Sequence, residues 1–419
     1  MLEKIASILS IGFLILGVAC GGESDSADTT STNDGLNDTA SFVWPEPPDE
    51  LLAFVTTVTG KVYVLNTKDG GVINQIDAAP ASIHGVGVME GQRTIYVPTF
   101  EGVDKVSFSS DMTTFDVTKS FALQKPPLML SLSPDRTMIA TGSSEPAFWS
   151  VGEGKQFASF MRTDTDELVG ELEFDSPARI SFSPDSKFAY VVQQNSSEIP
   201  VVNLETMSVE KTLNNKVLEA AFPECDALAA SMTAEDSCTP GAQELEPEGC
   251  TLCRCKADNT WYCSLVTPGH GAVRSSDGLF CVVNLTRESI TCMAPDDPES
   301  QWVIETPGDF PHDLHFDPVT GYLWFQSMQR IPIAADEQGN TEIPCAITVY
   351  NVETREVLKR MEWDYGLWHV SLAPDNKAYA SGSFHTVVVY DRQTYEKVEE
   401  VRDGLGTVGA PQPIMEIDF

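Results

Sequence analysis

Apolar and polar residues alternate along this chain in short runs, and this pattern predicts β-strands rather than helices. Runs rich in Val, Ile, Phe and Tyr are separated by turns of Asp, Asn, Gly and Pro, and no segment after residue 20 shows a helical period. One phrase, an alternating strand that ends in a tight polar turn, recurs at Leu130–Asp135, Ile180–Asp185, Ala272–Asp277 and Val370–Asp375. The chain is therefore predicted to be an all-β protein built from repeats.

The two ends of the repeat array complement each other. The first unit, from about Leu51 to Asp77, lacks the strand that precedes this kind of unit elsewhere, and the chain ends with Pro413–Phe419, a strand of the missing type. An open stack of sheets leaves its end faces bare, whereas a ring covers both faces of every sheet. We therefore predict a closed ring in which the C-terminal strand completes the N-terminal unit.

The repeat length sets the architecture. Most repeats are close to the roughly 40–50 residues of a four-stranded propeller blade. We predict a seven-bladed β-propeller over residues 51–419. Its blades would span 51–78 with the C-terminal strand, 79–122, 123–167, 168–215, 267–305, 306–364 and 365–406.

A family resemblance supports this fold. Tyr190, Val191 and Val192, and likewise Phe280–Asn284, follow the polar turns much as in the YVTN-type, WD40-like β-propeller repeats of secreted bacterial proteins. The resemblance implies a propeller, and it implies no particular activity because propellers carry many functions.

The first fifty residues precede the repeats and have a different composition. Lys4 comes before an apolar run, Ile5–Val18, that is too short to span a membrane comfortably and that leads to Ala19 and Cys20. Residues 1–20 resemble a bacterial lipoprotein signal peptide. The resemblance implies that the protein is exported and that Cys20 is lipidated. The lipid would anchor the protein in the outer membrane, and this anchor would be its only contact with a membrane. Residues 21–50 are poor in apolar residues and are predicted to be a disordered tether.

Net charge limits the partners. The 419 residues carry a formal charge of −36, which would repel nucleic acid and anionic membrane surfaces. We therefore expect no nucleic-acid partner, and we expect a protein or another surface ligand instead.

Cysteines are concentrated between the fourth and fifth blades. The spacing between Asp185 and Asp277 is about double that of other repeats, and residues 222–266 form the excess. Export favours disulfides in so small a segment. The candidates are Cys225, Cys238, Cys250, Cys253, Cys255 and Cys263 in this insertion, and Cys281 with Cys292 across a predicted hairpin. Nine cysteines remain once Cys20 is set aside, so at least one is expected to be free or to pair between chains, and Cys345 is the candidate.

The insertion also resembles a known module. The spacing from Cys238 to Cys263, with Trp261 before the last cysteine, is similar to that of pacifastin-type protease inhibitors. The resemblance implies protease inhibition as one alternative function. The module's sixth cysteine is missing after Cys263, and Cys225 lies upstream instead.

The histidines are the residues most suggestive of chemistry. Alignment on the polar turns places His84, His270 and His312 at one equivalent position just before the innermost strands of blades two, five and six, with His369 one residue out of register. Innermost strands line the channel of a propeller, so these imidazoles could converge at one mouth. Three interpretations stay open: a structural hydrogen bond to the next blade, as the resemblance to Pro-His-Gly turns implies, a polar ligand pocket, or a copper or zinc site. Asp313 could orient an imidazole.

No catalytic motif is present. The sequence contains no nucleophile elbow, phosphate loop, His-Glu-x-x-His or dinucleotide fingerprint, and it indicates no catalytic residue and no cofactor. The aspartates of the turns, Asp135, Asp185, Asp277 and Asp375, are predicted to form Asx turns rather than calcium sites. The leading hypothesis is a non-catalytic binding or scaffold propeller of the cell envelope that uses its rim loops and the cysteine-rich insertion. The alternatives are a metal- or cofactor-binding enzyme that uses the four histidines, and a protease inhibitor.

Overall fold

The structure is a computed structural model, and it describes most of the chain after the predicted tether. It describes residues 51–57, 60–68, 71–77, 85–89, 91, 93–99, 101–143, 156–174, 177–193, 196–221, 243–245, 252–255, 261–264, 270–307, 310–328, 345–363, 367–382, 387–401 and 414–418. The predicted signal peptide with Cys20, the predicted tether, and His84 lie outside these residues. Within them, no helix has the length and apolar character needed to cross a membrane.

The described segments are almost entirely β-strands. The first three blades and the closing strand comprise β1 (Leu52–Thr57), β2 (Lys61–Asn66), β3 (Val72–Asp77), β4 (Gly87–Val88), β5 (Thr94–Pro98), β6 (Gly102–Phe108), β7 (Phe115–Ala122), β8 (Pro127–Leu132), β9 (Met138–Ser143), β10 (Gln156–Arg162), β11 (Leu168–Phe174) and β31 (Ile414–Asp418). The remaining blades comprise β12 (Pro177–Phe182), β13 (Phe188–Gln193), β14 (Glu198–Asn203), β15 (Ser208–Asn214), β19 (Gly271–Val273), β20 (Phe280–Asn284), β21 (Ser289–Ala294), β22 (Asp297–Glu305), β23 (Phe310–Phe316), β24 (Leu323–Met328), β25 (Cys345–Asn351), β26 (Glu356–Trp363), β27 (Leu367–Leu372), β28 (Lys377–Gly382), β29 (Val387–Asp391) and β30 (Lys397–Val401). A 3-10 helix, η1 (Leu285–Arg287), joins β20 to β21, and a short helical segment covers 216–221.

These strands form seven four-stranded antiparallel sheets arranged as a seven-bladed β-propeller, which confirms the predicted fold. The first blade has the strand order β3-β2-β1-β31, so the last strand of the chain completes the first sheet. Val55 of β1 lies opposite Ile417 of β31 in this antiparallel pair. The ring is therefore closed by the C-terminal strand, as the repeat pattern predicts.

Apolar residues of adjoining blades pack into shared cores. One core joins Phe54 and Val64 of the first blade to Ile95 and Val106 of the second, and all four are buried. Another joins Trp324 of the sixth blade to the seventh. Burial of each large apolar side chain contributes about 1.5–3 kcal/mol, so the two faces of each sheet hold neighbouring blades together.

One predicted blade boundary is wrong. We expected blade three to end at residue 167, whereas β11 (Leu168–Phe174) pairs with β10 and is the outer strand of that blade. The polar run before β11 is the turn of the β10–β11 hairpin, in which the N–H of Arg162 donates to the carbonyl of Glu167. A hairpin turn inside a blade and a connection between blades have the same polar composition, so the sequence pattern does not separate them.

The cysteine-rich stretch contains a small sheet of its own. Strands β16 (Gln243–Leu245), β17 (Leu252–Cys255) and β18 (Trp261–Ser264) form a three-stranded antiparallel sheet between the fourth and fifth blades. Cys253 lies opposite Cys263 in its register. The cysteine side chains of residues 222–266 lie outside the described part of the structure, so their disulfides stay a prediction.

Two other expectations about cysteine are met in the fifth and sixth blades. Cys281 and Cys292 lie opposite each other on β20 and β21, and they form a disulfide. Cys345 begins β25 as a fully buried thiol.

The turn aspartates form Asx turns. Oδ1 of Asp135 accepts the Ser133 hydroxyl and the backbone N–H of Thr137, and Oδ1 of Asp185 makes the same pair of contacts in the fourth blade. These carboxylates accept local N–H and O–H donors, which accounts for their recurrence at this position of the turn.

Candidate functional site

The inner strands of the last four blades bring one residue each to the same level of the central channel. In each of these blades, the residue just after the inner strand donates its backbone N–H to a carbonyl at or just before the start of the next strand, across the turn that joins them. These donor residues are Ser183, Arg274, Asp317 and Ala373. The residues four positions earlier are Arg179, His270, Asp313 and His369. These four positions are therefore structurally equivalent, and they form one continuous arc of the channel wall.

This equivalence corrects the predicted register of the histidines. His270 and His369 occupy the same position in their blades, whereas His312 lies one residue before it. The inner strand β23 changes register between Pro311 and Asp313, and this irregularity turns His312 toward the other two imidazoles. His270 directly precedes β19, while His312 and His369 lie inside their strands rather than before them.

Three of the four predicted histidines come together. The ligand atoms of His270, His312 and His369 all lie within 4.8 Å of one another. The ring centroids are 4.7 Å apart for His270 and His312, and 5.3 Å for each of the other two pairs. All three side chains are buried, so the cluster is an enclosed group of imidazoles.

The carboxylate of Asp313 is the centre of this cluster. Its Oδ1 lies 3.1 Å from Nδ1 of His270 and 3.2 Å from Nη1 of Arg179. Its Oδ2 lies 3.1 Å from Nε2 of His315 and 3.2 Å from Nδ1 of His369, the latter an electrostatic contact outside hydrogen-bond geometry. Asp313 is fully buried, and a carboxylate there is stable only because these donors replace water.

Burial and these neighbours set the protonation states. Burial lowers the pKa of His270 to about 4, against the opposing attraction of Asp313. Burial alone would raise the pKa of Asp313, but the attraction of His315 and His369 and the hydrogen bond from His270 hold it well below its usual range. At neutral pH the site therefore contains a neutral His270 and an ionised Asp313.

The second ring nitrogen of His270 has no polar partner among the residues that the structure describes. Nε2 is buried and accepts or donates no hydrogen bond within the described residues. Nδ1 is 3.1 Å from the Asp313 carboxylate and 2.9 Å from Nη1 of Arg179. Nδ1 can accept from Arg179 or donate to Asp313, but it cannot do both in one tautomer, because a guanidinium only donates. When Nδ1–H donates to the carboxylate, Nε2 carries a lone pair directed away from Asp313, which is the tautomer required of a metal ligand.

Arg179 and His315 were not among the predicted site residues. Arg179 alternates with Ser181 on the polar face of β12, a pattern that by itself is typical of a solvent-exposed strand face. Its guanidinium is instead largely buried against Asp313, and only 13% of the side chain is exposed. Alignment of the inner strands of all blades would have identified Arg179, because it occupies the position that His270, Asp313 and His369 hold in their blades.

Comparison with known proteins supports the fold and leaves the site to be interpreted from its own residues. No protein-family model matches the chain, and no curated protein sequence matches it. A solved structure of a functionally unknown protein from Desulfotomaculum acetoxidans has a TM-score of 0.55 and 10% identity, covering 88% of this chain and 98% of that chain. Dihydro-heme d1 dehydrogenase NirN in complex with DHE has a TM-score of 0.46 and 15% identity, covering 90% and 80%. Apo AztD from Citrobacter koseri has a TM-score of 0.46 and 13% identity, covering 88% and 97%.

Proposed function

We propose that this protein is an exported, lipid-anchored propeller that binds a divalent transition-metal ion through His270, His312 and His369. The observation that carries the proposal is the enclosed cluster of three imidazoles whose ligand atoms lie within 4.8 Å of one another. The buried Nε2 of His270, which has no other polar partner among the described residues, supports it.

The geometry suits a metal after a small closure. Nitrogen ligands about 2.0–2.1 Å from a tetrahedral Zn²⁺ are roughly 3.4 Å apart, so ligand atoms that now lie within 4.8 Å of one another would draw together by up to about 1.4 Å. Imidazole ligands suit Zn²⁺ and Cu²⁺, and three protein ligands leave one coordination position for water or an external ligand. The proposal therefore names a borderline metal rather than Ca²⁺ or Mg²⁺, which prefer oxygen ligands.

Asp313 and Arg179 would act as positioning residues. A carboxylate that accepts Nδ1–H of a metal-binding histidine fixes its tautomer and raises its basicity. The negative charge of Asp313 also offsets part of the ion's charge, while its contact with Arg179 at 3.2 Å keeps the metal-free site electrically balanced.

The function proposed is binding rather than catalysis. The cluster supplies ligands, and no nucleophile with an adjacent base accompanies it in the described residues. Lipid anchoring at Cys20 would keep the metal-binding ring at the cell envelope, and the rim loops with the insertion at 222–266 would be available to a protein partner. A scaffold whose ligands lie on rigid strands loses little entropy on binding.

Direct titration with metal tests this proposal. Protein purified without a histidine tag and stripped with chelator is titrated with Zn²⁺, Cu²⁺ and Co²⁺ by calorimetry, and Co²⁺ absorption reports the coordination. We expect one ion to bind per chain, and we expect the absorption spectrum of bound Co²⁺ to indicate a low coordination number. Asp313→Asn, which removes the partner that orients His270, should lose about 10–100-fold in affinity, and His270→Gln, which removes a ligand, should lose more.

The matched control is Cys345→Ala, which removes a buried thiol that packs with Trp324 and Ile347 outside the cluster. Its metal affinity should equal that of the parent protein. Absence of stoichiometric binding by any of the three ions, or equal binding by His270→Gln, would refute the proposal.

A further inference from the structure

A cavity of about 460 Å³ occupies the central channel beside the histidine cluster. It is lined by the inner strands of several blades, and its lining includes Arg136, Arg179, His315, Ser131, Ser181 and Asp418. The three clustered histidines are not part of this lining. The cavity therefore adjoins the cluster, and it shares Arg179 and His315 with the network of Asp313.

Arg136 occupies a left-handed turn position at this cavity. Its φ is 59°, in the left-handed region, where a side chain costs roughly 1–2 kcal/mol relative to glycine. The corresponding turn positions of other blades hold Ser186, Gly278, Gly321 and Asn376. The conformation is set by the turn, because Arg355 and seven other described non-glycine residues also have a positive φ.

The guanidinium of Arg136 is fixed without being neutralised. Nη1 donates to the carbonyl of Val88 at 2.6 Å, which holds the side chain across the boundary between the second and third blades. No carboxylate forms an ion pair with it anywhere in the described residues. A guanidinium has five N–H donors in a fixed fork, so this anchor leaves donors for a ligand.

The carboxylates in and near the cavity already accept hydrogen bonds from other groups of the protein. Oδ2 of Asp418 accepts the backbone N–H of Val86 at 2.8 Å, and Asp313 lies behind the wall in contact with Arg179 and His315. The rest of the chain is strongly acidic, but at physiological ionic strength its field is screened beyond about 8 Å. The lining thus presents two guanidinium groups and an imidazole against one carboxylate.

We propose that this cavity binds a small anion through a carboxylate or phosphate group, with Arg136 as the main contact and Arg179 and Ser131 beside it. Guanidinium groups bind both kinds of group with paired, charge-assisted hydrogen bonds. The inference does not depend on the proposed metal site, because none of the residues it uses is a metal ligand.

The competing explanation is structural. Arg136 could serve solely to join the second and third blades through Val88, in which case its replacement would lower stability and leave anion binding unchanged. A binding role predicts the reverse: a loss of anion affinity that is larger than the loss of stability can explain.

The test is calorimetric titration of the full chain, kept in chelator so that metal plays no part. The probes are succinate and inorganic phosphate, with uncharged succinamide as the matched compound. We expect at least one of the two anions to bind, succinamide not to bind, and Arg136→Gln to weaken binding at least about tenfold, the effect of losing one charged hydrogen bond. Arg136→Lys, which keeps the charge and loses the fork, should lie between.

Arg162→Gln is the control, because Arg162 is an exposed arginine of the same blade that pairs with Asp164. Its affinity should match that of the parent protein. Binding of succinate alone or of phosphate alone identifies which group the cavity prefers and supports the proposal. If neither anion binds, or if Arg136→Gln binds as well as the parent protein, the cavity is not an anion site and Arg136 is a structural link.

Discussion

Nδ1 of His270 lies 3.1 Å from Oδ1 of Asp313, and both side chains are removed from solvent. The two residues occupy equivalent positions in neighbouring blades, so their contact is made across a blade boundary. His369 of the seventh blade reaches the other oxygen of the same carboxylate at 3.2 Å. One buried charge therefore connects three consecutive blades at the channel wall.

Replacement of Asp313 by Asn should destabilise the metal-free protein by about 3–5 kcal/mol. The change removes the charge that compensates Arg179 and two imidazole contacts, and removal of one partner of a buried ion pair has a cost of this size. Urea unfolding followed by tryptophan fluorescence measures it. Asp164→Asn, at an exposed ion pair with Arg162, is the control and should leave the urea midpoint unchanged. Equal midpoints for parent and Asp313→Asn would show that the carboxylate contributes nothing to stability.

Acidification should destabilise the parent protein more than His270→Gln. The folded-state pKa of His270 is lowered to about 4, below the usual value of about 6.5 in the unfolded chain. The unfolded state therefore binds a proton first as the pH falls, and the folded state loses stability between pH 6.5 and pH 4. From pH 7 to 4.5 this contribution is about 2 kcal/mol.

The comparison of slopes isolates this residue. Other groups titrate over the same range in both proteins, so the difference in unfolding free energy between parent and variant is measured at several pH values in chelator. As the pH falls, the unfolding free energy of the parent should decrease more than that of the variant. A difference that stays constant from pH 7 to pH 4.5 would mean that His270 titrates normally in the folded protein.

The repeat pattern was sufficient to predict the ring but not the register of its channel. Counting back from the turn aspartates makes His369 appear one residue out of line with His270. In the fifth blade the turn is longer, with the N–H of Gly278 donating to Arg274, whereas in the fourth the N–H of Ser186 donates to Ser183. A turn with one extra residue shifts every position counted from it, and only the backbone hydrogen bonds reveal this.

The central role of Asp313 was equally hard to derive from sequence. Asp313 follows His312 in the chain, yet its partners Arg179 and His369 are distant in sequence and meet it only because the blades form a ring. Alternation placed Arg179 on a polar strand face, and polar strand faces are usually solvated. In a propeller the polar face of an inner strand can instead face a narrow channel, where such residues contact one another.

Removal of the Cys281–Cys292 disulfide should lower stability without opening the ring. The two cysteines lie opposite each other on adjacent strands, and both are fully buried. A loop of this size contributes about 3 kcal/mol by the chain-entropy model. The double variant Cys281→Ala, Cys292→Ala should therefore unfold at lower urea concentration than the parent. A reductant should lower its midpoint less than the parent's, because only the disulfides predicted for residues 222–266 remain in it.

Cys345→Ala serves as the comparison, since it changes a buried thiol of the sixth blade and leaves the disulfide intact. Its midpoint should fall when reductant is added, as the parent's does. A double variant as stable as the parent would indicate that packing of β20 against β21 already fixes this hairpin.

Deletion of residues 414–419 should destabilise the ring far more than a deletion at an ordinary chain end. Strand β31 pairs with β1, and Oδ2 of Asp418 accepts the backbone N–H of Val86 in the second blade at 2.8 Å. Its loss leaves a row of backbone groups of β1 without partners and removes a contact between blades one and two. We expect the urea midpoint to fall strongly, whereas deletion of residues 21–40 in the predicted tether should leave it unchanged.

A synthetic peptide of residues 413–419 should restore the midpoint of the truncated protein in a concentration-dependent way, because it can add to the exposed edge of β1. A truncated protein with unchanged midpoint and no response to the peptide would show that the ring is closed by its interblade cores alone.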